Sequence, residues 1–252
     1  TARIAQFVKI YNPSVTPVSS VVKNLAAVRE RIAAAARRAG RCPEDIALMA
    51  VSKTFPPEII REAYQAGQRL FGENRVQEFA DKAGGLQQLA GAEWHMIGHL
   101  QTNKAAKAAE LFSAVDSVDS LRLAEKLNAA AQKANKRLPV LIEINVGGEA
   151  AKSGVAPASP ELEHLLAAAP QLTALHFRGL MTIPPFTDDP QQARPYFRCL
   201  RELREQIADR QLPGISLDVL SMGMSHDFEV AIEEGSTCVR VGTAIFGERT
   251  KR

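Results

Sequence analysis

The chain is short of the residues that build many specialised sites. It has three cysteines in 252 residues, Cys42, Cys199 and Cys238, and they lie far apart. An odd, scattered set excludes a disulfide framework and a thiolate zinc centre, and it suits a reducing compartment such as the cytoplasm. The five histidines never fall at ligand spacing with cysteine or glutamate, so no metal site is expected. No run of about 18 apolar residues occurs, so no membrane span is expected. An excess of one charge is also missing. Against 28 acidic residues stand 31 basic ones, a net of +3, too mild to suggest nucleic-acid binding. The basic stretch RELREQIADR carries Arg201, Arg204 and Arg210, but Glu202, Glu205 and Asp209 balance it, as on a solvated helix face.

What is present is the material of a core. Hydrophobic residues make up 46% and charged residues 23%, which excludes disorder for the bulk of the chain. Residues 1–18, TARIAQFVKIYNPSVTPV, have no apolar core of the secretory-signal kind, and Pro13 and Pro17 break any helix. They are expected to form a loosely attached extension, with the folded domain spanning 19–252. Ser19 or Ser20 is placed to cap a first helix. Its apolar residues Val22, Leu25, Val28, Ile32 and Ala35/Ala36 recur at a spacing of three to four, and Gly40 ends it.

After Gly40 the pattern alternates. Strand-type runs fall at 46–52, 69–72, 93–98, 112–117, 139–146, 176–182, 217–222 and 237–242. Helical patterns fall at 56–66, 74–82, 103–110, 120–136, 159–169, 189–209 and 226–234. Continuous apolar strands separated by helices predict a parallel sheet covered by helices. Eight such units favour a single (β/α)8 barrel with an extra N-terminal helix over a doubly wound sheet, which would need fewer strands.

In a barrel the chemistry sits where strands end. The first run ends AVSKT, which puts Lys53 at the mouth. A partly desolvated lysine there has a lowered pKa and can form a Schiff base, although a solvated strand-end lysine is the plainer reading. The seventh run leads into SMGMSHDF, where Ser221, Gly223 and Ser225 precede a helix expected to start near His226–Asp227. In the eighth, Gly242 and Thr243 open a helical turn. Glycine lets backbone N–H groups approach an anion, and loops after strands seven and eight are the recurrent phosphate site of such barrels. The same glycines could simply make tight turns. A lysine facing a phosphate cup suggests a phosphorylated aldehyde, with pyridoxal phosphate the obvious candidate.

Several long motifs occur in order. They are AVSKT, FGENRVQE (71–78), WHMIGHLQTNK (94–104), INVGGEAAKSG (144–154), RGLMTI (178–183), LSMGMSHDFEVAIEEGST (220–237) and VRVGTAIFG (239–247). From about residue 20 to 249 the chain resembles the YggS/PROSC family of pyridoxal phosphate-binding homeostasis proteins, itself similar to the barrel domain of alanine racemase. The resemblance implies a protein that binds pyridoxal 5'-phosphate as an aldimine and buffers its supply, without established turnover. It implies Lys53 as the Schiff-base lysine and Ser221, Gly242 and Thr243 as the phosphate cup. It implies Arg240 as the group facing the pyridine nitrogen, with Asn74, His95 and Met181 lining the pocket and Lys152 as a secondary aldehyde acceptor. The loop INVGGEAAKSG is less polar than is usual in the family. An arginine does not give up its proton, so the nitrogen beside it stays unprotonated and the ring is a weaker electron sink. Partners implied are the cofactor and apo-enzymes that receive it.

The alternative is a racemase or decarboxylase using the same chemistry, or, less closely, a Schiff-base aldolase. Racemases of this lineage resemble a barrel joined to a β domain that supplies an opposing base. Since eight units occupy 46–247, no such domain is expected, and the chain is expected to be a monomer. Other residues have plain readings. His95, opposite in face to Trp94, is as readily a packed, hydrogen-bonded histidine as a pocket residue. Thr102 or Asn103 can cap a helix, with His99 and Gln101 in the loop before it. Glu73 and Glu78 are expected to cap or pair at the surface, Lys104, Lys107 and Lys126 to be solvated, and Cys238 to be a small core residue. Of the cup glycines, Gly242 is expected to tolerate substitution worst.

Overall fold

Leu48 and Ala50 pack into a large cluster of apolar residues, while Met49 and Val51 join a separate small one with Ile97 and Cys238. That division along five residues is the alternation of a strand with a layer on each face. In the computed structural model, which describes residues 19–149 and 152–248, it recurs around a closed barrel. The strands are β1 (Ala47–Val51), β2 (Leu70–Glu73), β3 (Glu93–Met96), β4 (Ala114–Val118), β5 (Leu138–Glu143), β6 (Leu175–Met181), β7 (Ile215–Ser221) and β8 (Cys238–Val241). All neighbours are parallel, in sequence order, and β1 closes on β8. The barrel expectation therefore holds over the doubly wound sheet. The expected extension 1–18 lies outside the described residues.

The small cluster is the barrel interior, and it is tightly filled. A side chain at Gly72 would come within 2.8 Å of Met49 Sδ and 2.9 Å of Ile97 Cδ1. The large cluster lies between strands and helices. There Phe71 stacks on Trp94 with centroids 4.8 Å apart, and Phe79 bridges Trp94 to Phe112 at 4.9 Å each. Truncating such a buried aromatic typically costs about 3–5 kcal/mol.

The outer helices are α1 (Ser20–Arg38), α2 (Pro57–Gln65), α3 (Val76–Ala83), α4 (Ala105–Leu111), α5 (Leu121–Lys133), α6 (Pro160–Ala168), α7 (Arg194–Asp209), α8 (Phe228–Glu233) and α9 (Thr243–Phe246). The Ser19 hydroxyl caps α1 by accepting from Val22 N at 3.3 Å, and Gly40, at φ +66°, lets the chain leave it. The buried stripe of α1 is Val21, Leu25, Val28, Ile32, Ala35 and Ala36, one residue off the expected set at its start. This helix braces the end of the barrel that matters: it lies against α8 and α9, and Asn24 Nδ2 donates to Ile245 O at 2.9 Å.

Two local expectations fail. Neither Thr102 nor Asn103 caps α4: residues Thr102–Lys104 form a 3-10 turn running directly into the helix, with no side-chain cap. In addition, α8 starts at Phe228, one or two residues later than the sequence suggests, because the Asp227 carboxylate accepts from Met224 N at 2.6 Å and holds the chain in a loop. Helix α7 is not merely a solvated face: Arg201 reaches the buried Glu234 at 3.0 Å, while Arg210, just past the helix, pairs with Glu163 at 2.8 Å on the surface.

Candidate functional site

Carried one step past β1, the inward series Met49, Val51 leads to Lys53, which is half-buried. Its turn closes by Phe55 N donating to Ser52 O at 3.2 Å, and Thr54 sits at φ +68°, a conformation that disfavours a threonine. Across the mouth, Glu143, Met181 and Ser221 stand side by side, because β5, β6 and β7 pair them in register. Arg240, 3% exposed, reaches up from β8 to this row. Its Nη1 donates to Ser221 Oγ and its Nη2 to Thr182 O, both at 2.7 Å. Burial lowers the Arg240 pKa, opposed by the negative groups around it, among them Asp116, Glu143 and Asp227; arginine nonetheless remains charged at any ordinary pH.

Next to Arg240, Gly242 caps the short α9. The N–H groups of Gly242 and Ala244 both donate to Ser225 Oγ, at 3.3 and 3.4 Å. Two backbone donors thus converge on one oxygen at the predicted cup. Ser225 was read only as part of the loop before α8, yet it is the serine at these donors, while the Ser221 hydroxyl is taken by Arg240. Gly223, at φ +95°, makes the more demanding turn. A Cβ there would lie 2.6 Å from Ala231 Cβ and 3.0 Å from Phe228 Cα, whereas at Gly242 the nearest atom is Val51 O at 3.3 Å. Of the two cup glycines, Gly223 therefore has the less room for a side chain; the expectation for Gly242 concerns the approach of an anion and is a matter for binding measurements.

Asn74 follows β2, and its Oδ1 is buried without a hydrogen-bond partner. Gly98 permits this packing, since a Cβ there would meet Asn74 O at 2.5 Å. Glu143 was missed by the sequence reading. The signal was available, a carboxylate ending the apolar run PVLIE, but an acidic strand end reads as ordinary. It is 4% exposed; Oε1 accepts from Ser153 Oγ at 3.0 Å and Oε2 has no partner. Burial raises its pKa. Beside it opens a cavity of about 490 Å³ lined by His99, Glu143, Ile144, Lys152, Ser153 and Ile183. Lys152 is bonded to Glu149 Oε1 at 2.6 Å and Pro184 O at 3.4 Å, and His99 Nδ1 lies 2.9 Å from Asp119 Oδ2.

Other candidates fall elsewhere. His95 points inward but near the other end of the barrel, 3.1 Å from Asp116 Oδ2, in a cavity of about 340 Å³ with Arg178, Asp218 and Cys238. The packed, hydrogen-bonded reading holds, because the third residue of a strand sits below the rim. Cys238 is buried there, which pushes its thiol up to about 12. Glu73 and Glu78 make no surface pair: Glu73 is fully buried with Ser52 and Lys82, and Glu78 accepts from Thr54 N. Among the described residues no group of His, Cys, Asp and Glu could hold a metal, and no helix is long and apolar enough to cross a membrane.

A lysine past β1 and a cup after β7 and β8 are arrangements that can be compared with known proteins. The alanine racemase N-terminal domain family matches residues 23–250. The chain belongs to this family. Within it, the chain is 48% identical to the pyridoxal phosphate homeostasis protein of Aquifex aeolicus over 90% of this chain and 97% of that one. It is 47% identical to the protein of the same name from Escherichia coli, over 92% and 98%. Among solved structures, PipY of Synechococcus elongatus with PLP bound is 38% identical, with a TM-score of 0.80 over 90% of this chain and all of that one. Alanine racemase from Streptomyces coelicolor shares the fold, at 21% identity and a TM-score of 0.65, over 89% of this chain and 59% of the racemase.

Proposed function

We propose that this protein binds pyridoxal 5'-phosphate at the barrel mouth and takes part in its intracellular supply, as a cytoplasmic monomer that hands the cofactor to apo-enzymes rather than turning over a substrate. The observation that carries the reading is the buried Arg240, bonded to Ser221 and Thr182, lying between a strand-end lysine and a pair of converging backbone N–H groups. The homeostasis names of the relatives and the PLP in PipY support it.

The residues fit the group. When bound, the cofactor brings an aldehyde that condenses with a primary amine and a ring that withdraws electrons. Lys53 offers the amine. Gly242, Thr243 and Ala244 offer backbone donors at a helix start, and the Ser225 hydroxyl that two of them reach would give way to an anion or join in holding it. Arg240 presents a permanent donor to a ring nitrogen and does not give up its proton to it, so it steadies the ring without making it a stronger electron sink. Met181 is fully buried below the rim and supplies an apolar floor. The unpartnered oxygens of Asn74 and Glu143 offer acceptors at the edge of the pocket. We assign residues 19–252 to the cofactor-binding domain.

The test is chemical. Borohydride treatment of the protein loaded with pyridoxal phosphate should fix the cofactor on the peptide containing Lys53. Label only on another lysine, such as Lys152 or Lys104, would overturn the assignment. Incubation with D- and L-alanine, serine, ornithine and lysine should show no turnover near the ordinary enzyme range of roughly 1 per second; turnover at that rate would favour a racemase or decarboxylase.

A further inference from the structure

Lys82, on α3, has a side chain only 9% exposed, with its ammonium aimed back beneath the β1–α2 turn. It donates to Ser52 O at 3.0 Å and to Phe55 O at 3.4 Å, the carbonyls on either side of Lys53 and Thr54. It pairs with Glu73 Oε1 at 2.9 Å and Glu78 Oε1 at 3.3 Å. Those two carboxylates hold the rest of the turn: Glu73 Oε1 accepts from Ser52 Oγ at 2.6 Å, and Glu78 Oε1 accepts from Thr54 N. Ser52, Thr54 and Phe55 are thus each tied to one buried cluster from α3 and the end of β2. A surface role explains none of this. A buried lysine costs several kcal/mol to desolvate, yet here it is spent on two backbone carbonyls. The cluster also stabilises Thr54 at φ +68°, a conformation that needs support from its surroundings.

We propose that Lys82 is a positioning residue for Lys53. By clamping Ser52 O and Phe55 O, and through Glu73 and Glu78, it fixes the turn so that the Lys53 amine meets the cofactor aldehyde in a reactive geometry. The inference rests on Lys53 being the attachment point. Lys82 itself touches neither the phosphate donors nor the ring contacts, so it acts on covalent attachment and not on anchoring. A misplacement of about 1 Å can cost two orders of magnitude where reacting atoms must be aligned.

The experiment compares Lys82→Met and Glu78→Ala with the unaltered protein on two readouts. One is the affinity for inorganic phosphate, measured by calorimetry. The other is the rate and final extent of cofactor attachment, followed by its absorbance and by intact mass after borohydride. Lys82→Met should slow attachment about tenfold or more and lower its extent, with phosphate affinity changed less than twofold. Glu78→Ala removes the Thr54 tie from a partly exposed helix position, so it should fold even if Lys82→Met does not, and it should shift attachment in the same direction by a smaller factor. Attachment at the unaltered rate and extent in Glu78→Ala and in any folded Lys82→Met would overturn the proposal, as would equal loss of phosphate affinity and attachment. Label absent from Lys53 in the unaltered protein would instead overturn the reading on which it rests.

Discussion

At the N-terminal end of the barrel, His95 and Asp116 face one another at 3.1 Å, with Glu93 beyond and Arg178 and Asp218 lining the same cavity. At the C-terminal end, Asn74 and Glu143 each carry a buried oxygen with no partner, and two backbone N–H groups converge on one hydroxyl. The same strands build both ends. The lower end pairs opposite charges around its cavity, while the upper end leaves buried acceptors unpaired and gathers two backbone donors on one hydroxyl. Buried polar groups are normally satisfied by the fold, so the unpaired acceptors at the upper end are what the proposed cofactor site would put to use. The contrast can be broken by changes that affect both ends alike.

The largest expected effect is at Lys53. Lys53→Ala should abolish fixation of the cofactor by borohydride at the mouth, read by intact mass, while phosphate-dependent binding persists. Next comes the cofactor's own phosphate. Hydrogen bonds to a charged group contribute roughly 1.5–3 kcal/mol each, and more than one donor converges here. Pyridoxal without phosphate should therefore bind at least about 100-fold more weakly, or about 2.7 kcal/mol. The comparison is a titration of apoprotein with both aldehydes in buffer free of phosphate and sulfate; similar affinities would mean the α9 turn is only a turn.

The two cup glycines separate stability from binding. Gly223→Ala places a side chain at φ +95° and 2.6 Å from Ala231 Cβ, which should cost about 1–3 kcal/mol of stability. Gly242→Ala has an ordinary φ and room to shift, so its stability should change by less than about 1 kcal/mol. Its methyl would press on Val51 O at 3.3 Å and shift the turn that carries the N–H donors, so phosphate affinity should fall about tenfold. Thermal melts beside phosphate titrations resolve the pair; a Gly223→Ala protein as stable as the parent would refute the steric argument.

Much of this was legible in the chain. Continuous apolar runs separated by helical ones specify parallel strands under helices, and AVSKT put the lysine at a strand end without any coordinates. The cap at Ser19 and the turn at Gly40 were legible because each is a local preference. What was not legible depended on depth. His95 and Lys53 both face inward, yet their level along the barrel follows from strand stagger, which no single segment encodes. Glu73 read as a surface residue because its burial beside Lys82 is created by α3 packing across the β1–α2 turn. Ser225 at the α9 donors and Glu143 beside the mouth cavity are products of loops meeting in space.

The smallest effect tests the closed end. Burial alone would lower the His95 pKa, but the charge and hydrogen bond of Asp116, with Glu93 adding, carry it above its ordinary value. A folded-state pKa above the unfolded one means protonation favours the fold. The stabilisation is complete below the unfolded value, about 6.5, and is lost as pH rises through the higher folded value. Asp116→Asn removes the carboxylate that raises it. The difference in stability between parent and variant should therefore be largest in mildly acidic buffer, roughly 1 kcal/mol, and should shrink as pH rises above neutrality. Melting temperatures from pH 5.5 to 8.5 measure it. Asp116 is one of the negative groups felt by Arg240, but it lies away from Arg240's partners Ser221 and Thr182, so cofactor and phosphate affinities should change by less than about twofold. A variant that loses cofactor affinity as well as this pH dependence would show that the two ends are coupled through the barrel interior.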